Sequence, residues 1–186
     1  MSKLLRYAAA GVAMASLGIA SNAQAATTDS ANVTAEILTA LSVTVDATAD
    51  TLDFGTIADG GITANQTITV DTTGTRGTCP TGLICGGTTA APLFHVAGLA
   101  GKAVDLSFVN TTESLNYDTT INGGPAPAGF VSAMSVGTFV TDAAGNQVTL
   151  DSSGAADFSV GGTLTVQPNM APGVYTGTLT VSVAYN

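Results

Sequence analysis

Apolar and polar residues alternate with a period of two along most of the chain after residue 26. From Val33 to Val45 the odd positions are mainly apolar and the even ones mainly hydroxylated or acidic, with an interruption at Leu38 and Ala40 where a bulge would fit. Because successive side chains of a strand point to opposite faces, this period predicts half-buried β-strands. Further strand candidates are residues 52–57, 66–71, 92–98, 103–109, 130–140, 147–151, 156–160, 162–168 and 173–186.

Clusters of Gly, Asp, Asn and Ser separate these candidates, at residues 59–61, 123–125, 142–146 and 152–154. Such residues favour reverse turns, and residues 72–91 read as a Thr/Gly-rich loop. Many short strands at close spacing predict a single all-β domain, either a sandwich or a barrel. Its core would contain Phe54, Phe94, Phe108, Phe139, Phe158 and Tyr175, with Val, Leu and Ile filling most of the space.

The last fourteen residues, GVYTGTLTVSVAYN (173–186), read as one long strand with an apolar and a hydroxylated face. Its length would be about 45 Å at about 3.3 Å per residue. If this strand lay at a sheet edge without Lys or Pro to protect it, it would recruit another chain. If it were internal, the domain would be a self-complete sandwich.

The first residues are typical of a secretory signal peptide: Lys3 and Arg6, an apolar run and an Ala23-Gln24-Ala25 cleavage site. We therefore divide the chain into a signal peptide, residues 1–25, and a single β-sandwich domain, residues 26–186. The alternative for the apolar run is a membrane anchor, for which it is short and rich in Ala. No later segment has 18 consecutive apolar residues, so we expect no transmembrane segment in the mature chain.

Removal of the signal leaves two basic residues, Arg76 and Lys102, against 13 acidic ones, a net charge of −11. Such a surface repels phosphate backbones, so nucleic acid is not an expected partner. With 45% hydrophobic residues the chain is predicted to fold rather than to be disordered.

Cys79 and Cys85 are the only cysteines. An even number of cysteines in an exported chain favours a disulfide bond. A metal or redox pair is the alternative, but a metal site needs further ligands and His95 is the only histidine.

No catalytic signature accompanies His95, which lies between Phe94 and Val96 and would point away from both on a strand. No G-x-S-x-G motif occurs, and sugar-cleaving sites with paired carboxylates usually add Trp platforms, of which the chain has none. The turn carboxylates Asp46, Asp50 and Asp53 lack a calcium-loop pattern. We predict no enzyme activity, no catalytic residue, no cofactor and no metal site.

The C-terminus resembles that of chaperone–usher pilus subunits, which carry a glycine fourteen residues from the end and a penultimate tyrosine, here Gly173 and Tyr185. Over most of the mature chain the motifs LDFG (52–55), VGGTLTV (160–166) and PGVYTGTLTVSVAYN (172–186) resemble the bacterial family DUF4402, whose members are exported and suspected to be fimbria-like.

These resemblances imply an immunoglobulin-like antiparallel β-sandwich that is incomplete and accepts a strand from a partner. The partners would be other copies or related subunits, with a periplasmic chaperone and an outer-membrane usher, and the protein would pass through the periplasm to the cell surface. The implied assembly groove is Gly173, Tyr175, Leu179, Val181, Val183 and Tyr185, and the implied donor side chains are Val33, Ala35, Ile37 and Leu41.

Two features depart from the pilus pattern. The cysteines close a local loop instead of tying the first two strands, and residues 26–32 do not alternate. The alternative function is a monomeric exported β-sandwich domain that binds a glycan or other small ligand through the 72–91 loop.

Overall fold

The computed structural model describes residues 29–186. Contacts within the chain separate Ile37–Asn186, which contains every strand, from the residues before it. Residues 29–36 form no strand and are all exposed. The predicted signal peptide, residues 1–25, lies outside the described residues. The strands are β1 Ser42–Val45, β2 Thr56–Asp59, β3 Gln66–Val70, β4 Leu83–Gly86, β5 Leu93–Ala97, β6 Ala103–Phe108, β7 Thr112–Tyr117, β8 Ala133–Thr141, β9 Gln147–Thr149, β10 Ala155–Val166, β11 Tyr175–Thr176 and β12 Val181–Tyr185, with a 3₁₀ turn at Ala144–Asn146.

All strand pairs are antiparallel and fall into three sheets. The largest sheet has the order β1-β5-β10-β8-β7-β11, and β3 also pairs with β10. A second sheet has the order β12-β6-β9, and β2 pairs with β4 in a separate ribbon. The predicted all-β class with antiparallel sheets of sandwich type is confirmed. Residues 29–186 contain no helix long and apolar enough to cross a membrane.

The core consists of two clusters of buried apolar side chains. The first cluster is Phe54, Ile62, Ile68, Val70, Leu83, Val136, Leu164 and Val166. The second cluster is Phe94, Val96, Val104, Leu106, Leu150, Phe158 and Val160. Strand β10 contributes to both, and Phe139 packs against both. The rings of Phe94 and Phe158 stack with their centroids 5.2 Å apart, which joins β5 to β10 inside the second cluster.

The predicted break between residues 160 and 162 is wrong, because β10 runs through Gly161 and Gly162 with only a register irregularity. A Cβ on Gly161 would lie 2.6 Å from the carbonyl oxygen of Val70, and one on Gly162 would lie 3.1 Å from Leu52. The two glycines therefore allow close packing across the strand and do not form a turn.

Two strands were not predicted. Residues 72–91 contain β4, which pairs with β2, so this stretch is not entirely loop. Strand β7 has a clear alternation of exposed and half-buried residues, but its sequence TESLNY is largely polar. Strand β7 is held in the sheet because it pairs with β8 on one side and with β11 on the other.

The long C-terminal strand was predicted wrongly as a single element. The chain forms β11 against β7 in the large sheet, leaves the ladder at residues 177–180 and forms β12 against β6 in the second sheet. At Gly177 a Cβ would lie 2.6 Å from the carbonyl oxygen of Ser114. The segment thus changes sheets at a tightly packed corner, as strands of sandwiches do.

The disulfide between Cys79 and Cys85 is confirmed, and its Cα atoms are 5.9 Å apart. It flanks the turn in which the amide of Leu83 donates to the carbonyl of Pro80. Both cysteines pack against the first cluster, so the bridge attaches the β4 region to the core.

Within residues 29–186, five turns share one local device, an aspartate that accepts two or more hydrogen bonds from its own turn. These are Asp46, Asp59, Asp71, Asp118 and Asp151. In three of them the hydroxyl two residues further on is the main cause of a lowered carboxyl pKa, and in Asp59 and Asp118 it is the backbone amide three residues on. Each carboxylate is thereby stabilised in its charged form.

We expect Gly161→Ala to destabilise the protein by about 1–3 kcal/mol, because the added methyl group would press on the backbone of β3. Chemical denaturation measures the difference. Gly124→Ala is the matched control, since a Cβ there meets nothing within 4 Å. Equal stabilities for both variants would contradict the close packing of β3 on β10.

The aspartate turns predict acid sensitivity. The folded-state pKa values of these aspartates lie below the usual 3.8. The charged carboxylates therefore stabilise the folded protein fully above that pH, and this stabilisation is lost as pH falls below 3.8 toward the folded-state values. An Asp71→Asn, Asp151→Asn double variant should show a shallower fall in melting temperature between about pH 4 and 2. Asp29→Asn, outside these turns, serves as the control and should follow the wild type.

Candidate functional site

A cleft of about 520 Å³ opens between the end of β1, the inner face of β7 and β8, and the start of the C-terminal segment. Its apolar lining is Val45, Leu52, Phe54, Pro92, Phe94, Leu115, Val136, Phe139 and Leu179. Phe54 and Val136 belong to the first cluster and Phe94 to the second. The cleft is therefore a gap in the hydrophobic core between the two clusters.

The cleft has polar groups at its border. Asp50, Glu113, Thr176 and Thr178 line it together with the apolar residues, and no basic residue of the described part, 29–186, does. The side-chain amide of Asn110 donates to Glu113 at 3.0 Å. An apolar floor with few polar groups suits an extended, mainly apolar segment or another apolar ligand.

Tyr175 forms one wall of the cleft and is fixed by two hydrogen bonds. Its hydroxyl donates to the carbonyl oxygens of Ala171 at 2.8 Å and Val131 at 3.1 Å. Its ring meets that of Tyr117 edge-on, with centroids 5.6 Å apart. Burial raises the pKa of the phenol above its ordinary value, so Tyr175 stays neutral and acts as a rigid wall.

The predicted groove residues do not all lie in the cleft. Tyr175 and Leu179 line it. Val181, Val183 and Tyr185 are half-buried and pack against the chain's own second cluster.

Two members of the predicted groove have local structural roles. Gly173 lies close to Tyr117, since a Cβ there would be 2.5 Å from the ring. The Tyr185 hydroxyl accepts from the amide of Leu99 at 2.7 Å and donates to the carbonyl of Thr39 at 2.9 Å. The tyrosine thus anchors the end of the chain beside the β5–β6 connection.

Both parts of the C-terminal segment lie at sheet margins. Strand β11 is last in the order of the large sheet, and β12 is last in the order of the second. Within the described residues each pairs on one side only, with β7 and β6 respectively. Strand β1 is the other margin of the large sheet, and its last residue, Val45, lines the cleft.

The predicted donor residues fall into two groups. Val33 and Ile37 are each 94% exposed, and Ala35 is also exposed. Leu41 is different: it is half-buried and packs against the second cluster, immediately before β1 pairs with β5. Part of the apolar surface of Leu41 is thus used within its own chain, and its role as a donor side chain stays a prediction.

His95 projects from β5 on the face opposite Phe94 and Val96, as its position in the sequence predicts. Its Nδ1 lies 2.7 Å from Asp157 and its Nε2 lies 3.1 Å from Asp46. Among residues 29–186 no group of three or more His, Cys, Asp or Glu side chains is arranged to hold a metal ion.

Residues 72–91 are held in place by several hydrogen bonds. Arg76 donates to the carbonyl of Gly86 at 2.8 Å, and Asp71 caps the turn that follows it. A second cleft of about 550 Å³ lies beside Phe108 and Phe139. Neither cleft includes a residue of 72–91.

Sequence reasoning missed most of the cleft. Leu52, Leu115 and Val136 come from three separate stretches, and no local motif marks their convergence. The signal that pointed to the region was the C-terminal alternation, which includes Tyr175 and Leu179.

A family model for a domain of unknown function, DUF4402, matches residues 41–185. The matched region begins just before β1 and includes the cleft and both halves of the C-terminal segment. No curated protein and no solved structure matches the chain.

We expect Tyr175→Phe to destabilise the protein by about 1–2 kcal/mol, since it leaves the carbonyl oxygen of Ala171 without its donor and removes one of the two donors to the carbonyl oxygen of Val131. Tyr117→Phe is the matched control, because Tyr117 contributes its ring to the same aromatic pair. Urea unfolding of both variants measures the difference. A loss for Tyr117→Phe as large as that for Tyr175→Phe would contradict the role of the Tyr175 hydroxyl.

Proposed function

The chain belongs to the DUF4402 family of domains of unknown function, and we propose that it is a structural subunit of a bacterial surface fibre of the fimbrial type. Subunits would join by donor-strand addition: an extended segment of one subunit occupies the cleft and pairs with the C-terminal margin of the next. The protein would be exported through its predicted signal peptide and would act at the cell surface, without enzymatic activity.

The observation that carries this proposal is the cleft itself. Core side chains from both clusters, including Phe54 and Phe94, line a space that residues 29–186 do not fill. Interiors of folded domains are normally close-packed, and unfilled apolar surface lowers stability. A segment that supplies apolar side chains would complete the core, so occupancy and stability would increase together.

The strand margins beside the cleft support the same function. Strand β11 and residues 177–179 border the cleft, and β12 continues along the margin of the second sheet. Unpaired backbone groups at a sheet margin are a template for another strand. Backbone hydrogen bonds would provide strength, and the apolar lining would select the register.

A candidate donor lies in residues 29–40, which are exposed throughout and form no strand. Val33, Ala35 and Ile37 alternate with Thr34 and Glu36, so an extended conformation would place the three apolar side chains on one face. Isolated exposed apolar residues are common, but an alternating set at 94% exposure for Val33 and Ile37 favours burial against a partner. The twelve residues would span about 40 Å when extended.

The partners would be other copies of this chain or related subunits. Before assembly the open cleft would expose apolar surface, so a periplasmic chaperone that lends a strand is an expected partner, and an outer-membrane usher would place the subunits in the fibre.

A self-complemented fusion tests the proposal. A copy of residues 29–40 is appended after Asn186 through a Gly/Ser linker and compared with the mature chain, residues 26–186. We expect the fusion to be monomeric and to melt about 10 °C higher, because the appended strand fills the cleft at high effective concentration. We expect the mature chain alone to form multimers that increase with concentration, measured by light scattering after gel filtration.

The matched control is the same fusion with Val33→Asp and Ile37→Asp in the appended copy only, which should lose the gain in melting temperature. If all three proteins are monomeric with equal melting temperatures, the assembly function is wrong. A monomeric domain with a small-molecule or glycan ligand would then be the function to test.

A further inference from the structure

His95 lies at the centre of a three-strand contact that links β1 to β10. In the sheet register it is directly opposite Thr44 of β1 and Asp157 of β10. Its Nδ1 meets an oxygen of Asp157 at 2.7 Å, and its Nε2 meets Oδ2 of Asp46, the residue after β1, at 3.1 Å. Both ring nitrogens therefore face carboxylate oxygens.

The protonation state of the imidazole decides whether both contacts can form. A neutral imidazole has one N–H and one lone pair, and an ionised carboxylate only accepts hydrogen bonds. The neutral ring can thus bond one aspartate while its lone pair faces the other. The imidazolium donates to both, and its hydrogen bonds are charge-assisted.

Asp46 connects this contact to the cleft. Its Oδ1 accepts from the amides of Thr48 and Ala49 at 2.7 and 3.0 Å, while its Oδ2 faces His95. The amide of Asp46 donates to the carbonyl of Leu93, and the amide of Leu93 donates to the carbonyl of Ala49. Val45, directly before Asp46, lines the cleft.

We propose that His95 is a proton-controlled clamp on the cleft wall: when protonated it holds the end of β1 and the 46–49 turn against β5 and β10, and when it loses its proton this wall loosens. The effect of this clamp on strand addition rests on the proposed function. The clamp itself is a property of the isolated subunit.

The charged groups that contact His95 all favour its protonated form. Strand β1 has no ionisable side chain, and Asp46 is the group that its following turn presents. Strand β10 presents Asp157, and Asp142 reaches the same strand further along, at the amide of Ser159. The two groups that contact His95, Asp157 and Asp46, are both carboxyl groups, so their combined field favours the imidazolium.

The sign of the pH dependence follows. Hydrogen bonds to Asp157 and Asp46 raise the pKa of His95 above 6.5, so the clamp is fully engaged below that pH and is lost as pH rises through the raised folded-state value. The lowered pKa of Asp46 keeps its carboxylate charged throughout this range.

The test is built on His95 being the only histidine in the chain. A proton NMR titration of the wild-type mature protein follows one imidazole and should give a pKa clearly above the ordinary value. Over the same range, hydrogen exchange of the Thr48 and Ala49 amides, corrected for the intrinsic base-catalysed rate, should become several-fold faster as the ring loses its proton.

The protein contains an internal control for this exchange measurement. Asp71 accepts from the amides of Thr73 and Thr75 in an equivalent turn without a histidine, and these amides should show no corrected change. His95→Gln removes the titrating group and should abolish the pH response at Thr48 and Ala49. An ordinary histidine pKa, or identical corrected exchange in the two turns, would overturn the clamp.

Binding of a peptide of residues 29–40 tests whether the clamp affects strand addition. We expect it to bind the wild-type protein several-fold more tightly near pH 6 than near pH 9, because an ordered cleft wall lowers the entropic cost of binding, and to bind His95→Gln without this dependence. Absence of peptide binding at every pH would count against donor-strand addition, whereas the exchange data judge the clamp independently.

Discussion

Strand β10 is the element on which the rest of the structure depends. Its first half pairs with β5 and closes the second cluster, and its second half pairs with β3 and β8 over the first cluster. Continuity between the halves requires close packing at Gly161 and Gly162, where side chains would collide with the backbone of β3 or with Leu52 and Phe139. One strand thus contributes side chains to both clusters, and the cleft opens at the boundary between them.

The cleft and the margins of the sheets have a common origin in the path of the C-terminal segment. This segment leaves the large sheet after β11 and enters the second sheet as β12, so it covers neither margin completely. Closing an antiparallel sandwich normally requires each margin to be paired, covered or shortened. Here an apolar gap and two one-sided strands lie together, and strand addition from a partner would satisfy both with a single segment.

A chain with so few basic residues organises its charges locally. Its aspartates mostly bond the amides and hydroxyls of their own turns, which stabilises the loops without needing an opposite charge. His95 meets two carboxylates from other elements, Asp157 of β10 and Asp46 of the turn after β1. Through the clamp proposed above, the β1 margin would respond to the protonation of His95, whereas the aspartate turns would respond to acid.

The sequence by itself determined the all-β class, most strand positions, the disulfide and the outward direction of His95, because these follow from local periodicity, turn chemistry and cysteine pairing. It could not determine that residues 173–186 divide between two sheets or that Gly161 and Gly162 continue a strand, because alternation does not specify a strand's partner. Only the tertiary structure brought Leu52, Val136 and Leu179 around one cleft and used Leu41 within its own core. Such convergence depends on sheet order and register. These arise from long-range packing and cannot be predicted from the pattern of any single segment.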